Sequence, residues 1–330
     1  MVITKTPFRM SFFGGGTDME FFFREHGGAV LSATFDKYCY VNVRHLPRFF
    51  DFSTELAYSK VERVTQVDEI QHPAIRNAMK MLDMREIRLT YEADLPARSG
   101  LGTSSSFAVG MLNAFYALKG KTAQKRQLAE DAIYLERQLC RETGGWQDQI
   151  AAAYGGFNRI DFGSDGFRVT PLPISMDRKA LLNDNLMMFF TGFTRFSAEV
   201  QELNSEKPEN KIALLKDMYA LVDEAEAVLT NPCQDLDQFG KRLDDTWKLK
   251  RQTGPAVSTS NIDEIYAKAI HAGALGGKLL GAGGGGFFVF YVPKDRQSAV
   301  RKAMEGLLYV PLRFENDGTQ IIYHAPEPME

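Results

Sequence analysis

Four consecutive hydroxyl residues, Thr103, Ser104, Ser105 and Ser106, follow Gly100, Leu101 and Gly102 and lead straight into the apolar run SFAVGMLNAFYAL at 106–118. Glycine lets a backbone approach a ligand closely and adopt positive φ. A helix start offers unpaired N–H groups and the positive end of its dipole. Together these suit a phosphate, and the hydroxyls can donate to phosphate oxygens or ligate Mg²⁺. A plain helix cap would need one hydroxyl, not four in a row. The segment is not a Walker A loop, because it contains no lysine before its hydroxyls. Positive charge for a terminal phosphate has to come from elsewhere in the chain.

A second glycine segment, GGKLLGAGGGGFF, runs from Gly276 to Phe288. Gly281, Gly283 and Gly286 satisfy GxGxxG, but a helical stretch precedes them and the strand-like FFVFYV follows. A dinucleotide fingerprint has the reverse order, strand then helix, so a nicotinamide oxidoreductase is set aside. A run of four glycines costs backbone entropy, and it is expected to pack closely on a ligand or on another backbone.

Two further segments carry carboxylates. PFRMSFFGGGTD, residues 7–18, places Arg9 on a short strand and presents Thr17 and Asp18 beyond a Gly14–Gly16 turn. A hydroxyl and a carboxylate beside a tight turn suit a polyol, although Asp18 could equally cap the following MEFFFREH. GGWQDQ, residues 144–149, comes just after a helix carrying Glu136. Asp148 could serve as a general base and Glu136 as a metal ligand. Taken alone, each is more often a solvated helix-end carboxylate.

The elements that must position these residues are legible from periodicity. DKYCYVNVRHL (36–46) and EIRLTYEA (86–93) alternate as strands do. The 106–118 run is apolar nearly all round and reads as a buried helix, with Gly120 placed to stop it. Residues 123–141 predict an amphipathic helix with Leu128, Ala132, Leu135 and Leu139 on one face. Beyond the proline- and charge-rich stretch 171–183, strands are expected at 186–192, 286–292, 309–314 and 319–324. Helices are expected at 210–229, 235–251, 261–274 and 296–307. Strands and helices interleave without a regular βαβα beat, which predicts an α+β fold in two lobes.

The chain has 330 residues, 44% hydrophobic and 25% charged, with a formal net charge of -3. This is ordinary globular composition, long enough for two domains, and it predicts neither a nucleic-acid nor a membrane partner. The N-terminus lacks a signal-peptide pattern. Three scattered cysteines, Cys39, Cys140 and Cys233, fit a reducing compartment, and no CxxC or HxxxH spacing suggests zinc. A cytoplasmic protein is expected.

In their order, PFRMSFFGGGTD, SGLGTSSS and GGKLLGAGGGG resemble the three motifs of the galactokinase, homoserine kinase, mevalonate kinase and phosphomevalonate kinase (GHMP) superfamily, over essentially the whole chain. The resemblance implies an N-terminal lobe (1–175) like the second domain of ribosomal protein S5 and a ferredoxin-like C-terminal lobe (176–330). ATP and a small-molecule substrate would meet between them. It further implies that Gly100, Leu101, Gly102, Thr103, Ser104, Ser105 and Ser106 hold the ATP phosphates, and that Ser104 and Glu136 hold Mg²⁺. Asp148 would be the catalytic base, with Arg9 beside it. Gly16, Thr17, Asp18, Gly283, Gly284 and Gly285 would contact the substrate. Galactokinases carry Gly-Glu-His-Thr-Asp in the first motif, where this chain has Gly14-Gly15-Gly16-Thr17-Asp18. Together with GGWQDQ and TGFTR (191–195), this resembles the branch that phosphorylates the anomeric hydroxyl of sugars. The substrate implied is a heptose 7-phosphate, with L-fucose as the alternative. Arg44, Arg48 and Arg195 are candidates for gripping a phosphate on that sugar. A non-catalytic sugar sensor is the contrasting expectation, and the intact hydroxyls and Asp148 weigh against it. The oligomeric state is left open.

Overall fold

The computed structural model describes residues 1–97, 99–192 and 208–325. In chain order its strands are β1 (Val2–Phe13), β2 (Gly28–His45), β3 (Thr54–Ala57), β4 (Val61–Val64), β5 (Ile87–Ala93), β6 (Phe157–Gly163), β7 (Gly166–Pro171), β8 (Leu186–Phe190), β9 (Gly276–Leu279), β10 (Phe287–Tyr291), β11 (Leu308–Val310), β12 (Phe314–Glu315) and β13 (Gln320–His324). They form two sheets. One follows the path β13-β1-β2-β5-β3-β4, with β6 and β12 also paired to β2 and β7 paired to β6. The other has the order β11-β8-β10-β9, antiparallel throughout.

The second sheet, numbered by its own strands, reads 4-1-3-2. Helices lie between its first and second strands (Pro208–Thr230, Asp237–Gln252, Ser260–His271) and between its third and fourth (Gln297–Ala303). This βαββαβ order is the ferredoxin-like arrangement expected for the C-terminal half. After β11 the chain returns to the first sheet through β12, on Phe35 and Thr34 of β2, and through β13, on the start of β1.

The helix Thr103–Leu118 is buried along nearly its whole length, as its unbroken apolar run requires. It lies on β1 and β2, beside the helices Lys125–Ile133 and Gln147–Tyr154. Phe107, Met111, Leu112 and Phe115 join Val41, Val43 and Leu89 of the sheet in one core. Gly120, at φ +68, ends the helix as expected. A second core, built from Phe8, Phe12, Phe13, Phe239, Leu243 and Phe287, fills the space between the two sheets.

Three elements differ from expectation. The predicted strand 309–314 is two strands, β11 on β8 and β12 on β2, with 311–313 between them. β2 begins at Gly28, eight residues before the predicted 36, because Gly28–Phe35 is buried on both faces and so shows no alternation. The predicted helix 123–141 is α-helical only over Lys125–Ile133, and Tyr134–Leu139 then widens into a π-turn with Cys140 N–H on Leu135 O at 2.8 Å. The wider turn breaks the 3.6 spacing. Leu135 and Glu136 are both buried, while Leu139, predicted inward, is exposed. Among the described residues no helix is long and apolar enough to cross a membrane.

Candidate active site

β1 delivers Arg9 to the point where the helix Gln147–Tyr154 begins. Asp148 lies in that helix's first turn. The Arg9 guanidinium, 5% exposed, donates from Nε to Asp148 Oδ1 at 2.7 Å and from Nη2 to Oδ2 at 2.8 Å. Its third arm, Nη1, donates to Gly100 O at 2.7 Å. One planar fork therefore fixes the carboxylate and the loop before the Thr103 helix together. A carboxylate has about four acceptor positions, so the fork leaves Asp148 able to accept from a further hydroxyl. The Asp148 side chain is 24% exposed, enough to be reached.

Gly102, left-handed at φ 70, is the N-cap of the Thr103 helix, and no side chain caps that end. Its first-turn N–H groups are open to an anion. Gly102 also lies against Arg9 and Asp148: a Cβ there would sit 3.2 Å from Arg9 Cγ and 3.4 Å from Asp148 Cγ. Nearby, the Ser99 hydroxyl is buried without a hydrogen-bond partner among the described residues. An uncapped helix start, a bare backbone and an orphaned hydroxyl fit a polyphosphate.

The four hydroxyls divide in use. Ser104 Oγ donates to Glu136 Oε1 at 2.8 Å, and Ser105 Oγ donates to Oε2 at 2.7 Å. Gln149 Nε2 also donates to Oε2. Ser106, expected at the phosphates, is fully buried with its hydroxyl on Pro7 O at 3.0 Å, so it fastens the helix to β1 instead. Leu101 is likewise a core side chain, and it takes part through its carbonyl, which accepts Arg9 N–H at 3.2 Å. Glu136 is 1% exposed and accepts from neutral donors, with no ion pair among the described residues. A buried carboxylate without a counter-charge, edged by the exposed Ser104, fits a divalent cation. Among the described residues no cluster of three or more His, Cys, Asp or Glu side chains is placed to hold a metal by itself.

Asp18 clasps the first-motif turn to the Asp148 helix. It is 2% exposed and accepts Gly16 N–H at 2.9 Å and Gln147 N–H at 3.2 Å. The close approach requires Gly145, where a Cβ would fall 1.8 Å from Asp18 Oδ2. Burial, and then the neighbouring Asp148 carboxylate, push the Asp18 carboxyl up, opposed by the two backbone donors. Thr17, expected at the substrate, is fully buried. Its hydroxyl reaches Gly14 O at 2.8 Å and Ala29 O at 2.9 Å, and it is consumed in holding the turn.

The glycine run packs on another backbone, one of the two outcomes expected of it. Gly281 and Gly286 meet the backbone of the Gly100 loop, whereas the substrate-assigned Gly283 and Gly284 meet the backbone of Val257. A Cβ on Gly281 would meet Gly100 Cα at 2.4 Å, and one on Gly286 would meet Ser99 O at 2.2 Å. Gly283 leans on Val257, and Gly284 N–H donates to Val257 O at 3.0 Å.

Two lysines escaped the sequence reading. Lys250 is 9% exposed and Lys278 is 2% exposed, and both lie beside this site. Lysines are ordinarily solvated, so no local pattern marked them, although Lys278 stands inside the glycine segment. Two of the three arginines expected to grip a sugar phosphate lie elsewhere. Arg9 pairs with Thr34 in β2, and Arg44 is ten residues further along, about 33 Å of strand. Arg48 is held by Glu86 at 2.9 Å. Arg195 lies outside the described residues.

With this geometry in place, the chain can be compared with known proteins. Residues 69–156 match the model of the GHMP kinases N-terminal domain, and residues 219–309 match that of the GHMP kinases C-terminal region. A D-glycero-alpha-D-manno-heptose 7-phosphate kinase of Campylobacter jejuni is 29% identical over 91% of this chain and 92% of its own. An L-fucokinase/L-fucose-1-P guanylyltransferase of Bacteroides fragilis is 31% identical over 65% of this chain, which spans 23% of that longer protein. A solved D-glycero-D-manno-heptose 1-phosphate kinase of Bacteroides thetaiotaomicron superposes with a TM-score of 0.80 at 23% identity, covering 98% of this chain and 100% of that one, and so shares the fold. The motifs, the two-sheet architecture and both matched regions agree: the chain belongs to the GHMP kinases, ATP-dependent phosphotransferases that act on a hydroxyl acceptor.

Proposed function

We propose that the protein transfers the γ-phosphoryl group of ATP to the anomeric hydroxyl of D-glycero-D-manno-heptose 7-phosphate, giving the 1,7-bisphosphate and ADP in the cytoplasm. The observation that carries this reading is the Arg9–Asp148 fork, joined at 2.7 Å and tied through Gly100 O to an uncapped helix start. It puts a proton acceptor and an anion cradle on one rigid junction. Near full-length similarity to the Campylobacter heptose 7-phosphate kinase supports the substrate class.

In this reading the N–H groups of residues 100–105 hold the ATP phosphates, and Ser104 with Glu136 holds Mg²⁺. The cation, when bound, neutralises charge on the phosphates. Asp148 orients the anomeric hydroxyl and accepts its proton, while Arg9 fixes the carboxylate and lies beside the charge that develops. An anomeric hydroxyl is more acidic than an ordinary alcohol, which lowers the demand on the base. Asp18 and the Gly16 turn face the sugar hydroxyls, and Gly283–Gly285 close over the substrate. Residues 1–175 and 176–330 act as two lobes around the reacting groups, with β12 and β13 of the second half returning to the sheet of the first.

Replacing Ser104 by Ala is expected to raise the Mg²⁺ concentration needed for half-maximal rate severalfold. An unchanged Mg²⁺ titration would remove Ser104 from the metal site. The substrate reading is tested by ADP release with heptose 7-phosphate, free heptose and L-fucose. A kcat/KM at least tenfold higher for the 7-phosphate is expected, since a charge-assisted phosphate contact is worth at least one factor of ten. Equal values for phosphorylated and free heptose would reject a dedicated phosphate contact. The similarity to part of the Bacteroides fragilis L-fucokinase/L-fucose-1-P guanylyltransferase favours L-fucose as the second reading, and L-fucose as the fastest acceptor would establish it.

A further inference from the structure

We propose that Lys250 is a positioning residue of the transfer site: it straps the third glycine segment onto the phosphate loop, and with Lys278 it holds a buried positive charge in reserve for a nucleotide's phosphates. The proposal rests on residues 100–105 being the phosphate cradle.

Lys250 stands near the end of the helix Asp237–Gln252 and turns inward. Its Nζ donates to Leu279 O at 3.1 Å and to Gly281 O. Gly281 is the residue whose backbone lies against Gly100, and Gly100 O is the acceptor of Arg9. A continuous chain of contacts thus runs from Lys250 through Gly281 and Gly100 to Arg9 and Asp148. The strap acts where it is most needed, since a glycine run has no side chains to hold its own conformation. Lys278 makes a parallel link from β9, donating to Phe12 O at 3.1 Å just before the first-motif turn.

Neither amine has a carboxylate within ion-pair distance among the described residues. The charged groups facing Lys250 are Arg9 from β1 and Lys278 from β9. Asp148 is engaged by Arg9, and Asp18 by backbone N–H groups. Buried cations without a counter-ion either lose their protons or await an anion. Burial first, and Arg9 second, bring Lys250 down to about 7. Lys278 is pushed well below the ordinary lysine range by burial, then by Lys250 and Arg9, with Asp18 opposing.

The sign of the linkage follows. Above pH 7 the free protein holds Lys250 mostly neutral. Phosphates bound across the Gly100–Gly281 contact favour the ammonium, so binding takes up a proton. By the same linkage, nucleotide affinity falls as pH rises from 7 toward the higher pKa of the complex.

The test is calorimetric titration of a non-hydrolysable MgATP analogue at pH 7, 8 and 9, in two buffers of different ionisation heat, with wild type, K250M and K250R. Wild type is expected to take up protons at pH 8 and to weaken toward pH 9. K250M should bind about tenfold more weakly at pH 7, with its proton uptake much reduced. K250R, permanently charged, should keep most of the affinity but lose the pH dependence; it carries the test alone should K250M not fold. In turnover, K250M should raise the MgATP KM by a larger factor than it lowers kcat. K250M binding with wild-type affinity and the same proton uptake overturns the proposal, as does K250R retaining the full wild-type pH dependence. Wild type failing to bind the analogue at all overturns the phosphate cradle along with it.

Discussion

Asp148→Asn is expected to lower kcat by about 10²-fold or more while nucleotide affinity stays near the parent value. The amide is nearly isosteric, so the helix Gln147–Tyr154 has no reason to move. It is a poor proton acceptor, and one of its two polar atoms becomes a donor. That donor would face an Arg9 N–H, where the wild-type carboxylate accepts at 2.7 and 2.8 Å. Both the proton route and half of the fork are lost. Single-turnover rates separate this from a binding defect: the chemical step should slow and the analogue's Kd should not. Near-normal turnover in the variant would remove Asp148 from the role of base.

Glu136→Gln is expected to have an effect of similar size through a different quantity. The Mg²⁺ concentration for half-maximal rate should rise by about one to two orders of magnitude, with part of the rate recovered at high Mg²⁺. Glu136 is a buried carboxylate whose described partners are the hydroxyls of Ser104 and Ser105 and the Gln149 amide, all neutral. Gln fills the same volume, but its N–H₂ must meet one of those donors and its charge is gone. A Mg²⁺ titration superimposable on wild type, with only the melting temperature lowered, would assign Glu136 to structure and not to the metal.

These residues became readable from the sequence to different degrees. The Gly100–Ser106 segment was legible as a glycine loop entering a helix, the proposed anion site, because its chemistry is local: glycines, hydroxyls and a helix start are adjacent in the chain. The alternating half of β2 was legible for the same reason, whereas its first half, buried on both faces, carried no period to read. The π-turn that sets Glu136 inward is one widened turn in a helical pattern, and it appears in the sequence only as a misplaced Leu139. Thr17 and Ser106 show the opposite failure. Their hydroxyls sit in the right motifs, but the fold commits them to Gly14, Ala29 and Pro7. Lys250 and Lys278 lie furthest from sequence reasoning. Their burial is made by segments more than 200 residues from β1 in the chain, and nothing in their immediate neighbours foretells it.

The two glycine segments had separate rationales in the sequence and a shared one in three dimensions. Gly100 needs its φ of +81 for the loop, and it needs to lack a side chain because Leu280 O would lie 2.3 Å from a Cβ. Gly281 and Gly286 meet the same stretch from the other side. Their mutual approach is what brings the C-terminal half of the chain, with Lys250 behind it, onto a loop belonging to the N-terminal half.

A crystal of the protein with a non-hydrolysable MgATP analogue and heptose 7-phosphate bears on all of this at once. The terminal phosphate should lie against the backbone N–H groups of Gly102 to Ser105, with the sugar's anomeric oxygen within hydrogen-bond reach of Asp148. A triphosphate ordered away from the mouth of the Thr103 helix, or an anomeric oxygen turned away from Asp148 in an otherwise complete complex, would contradict it.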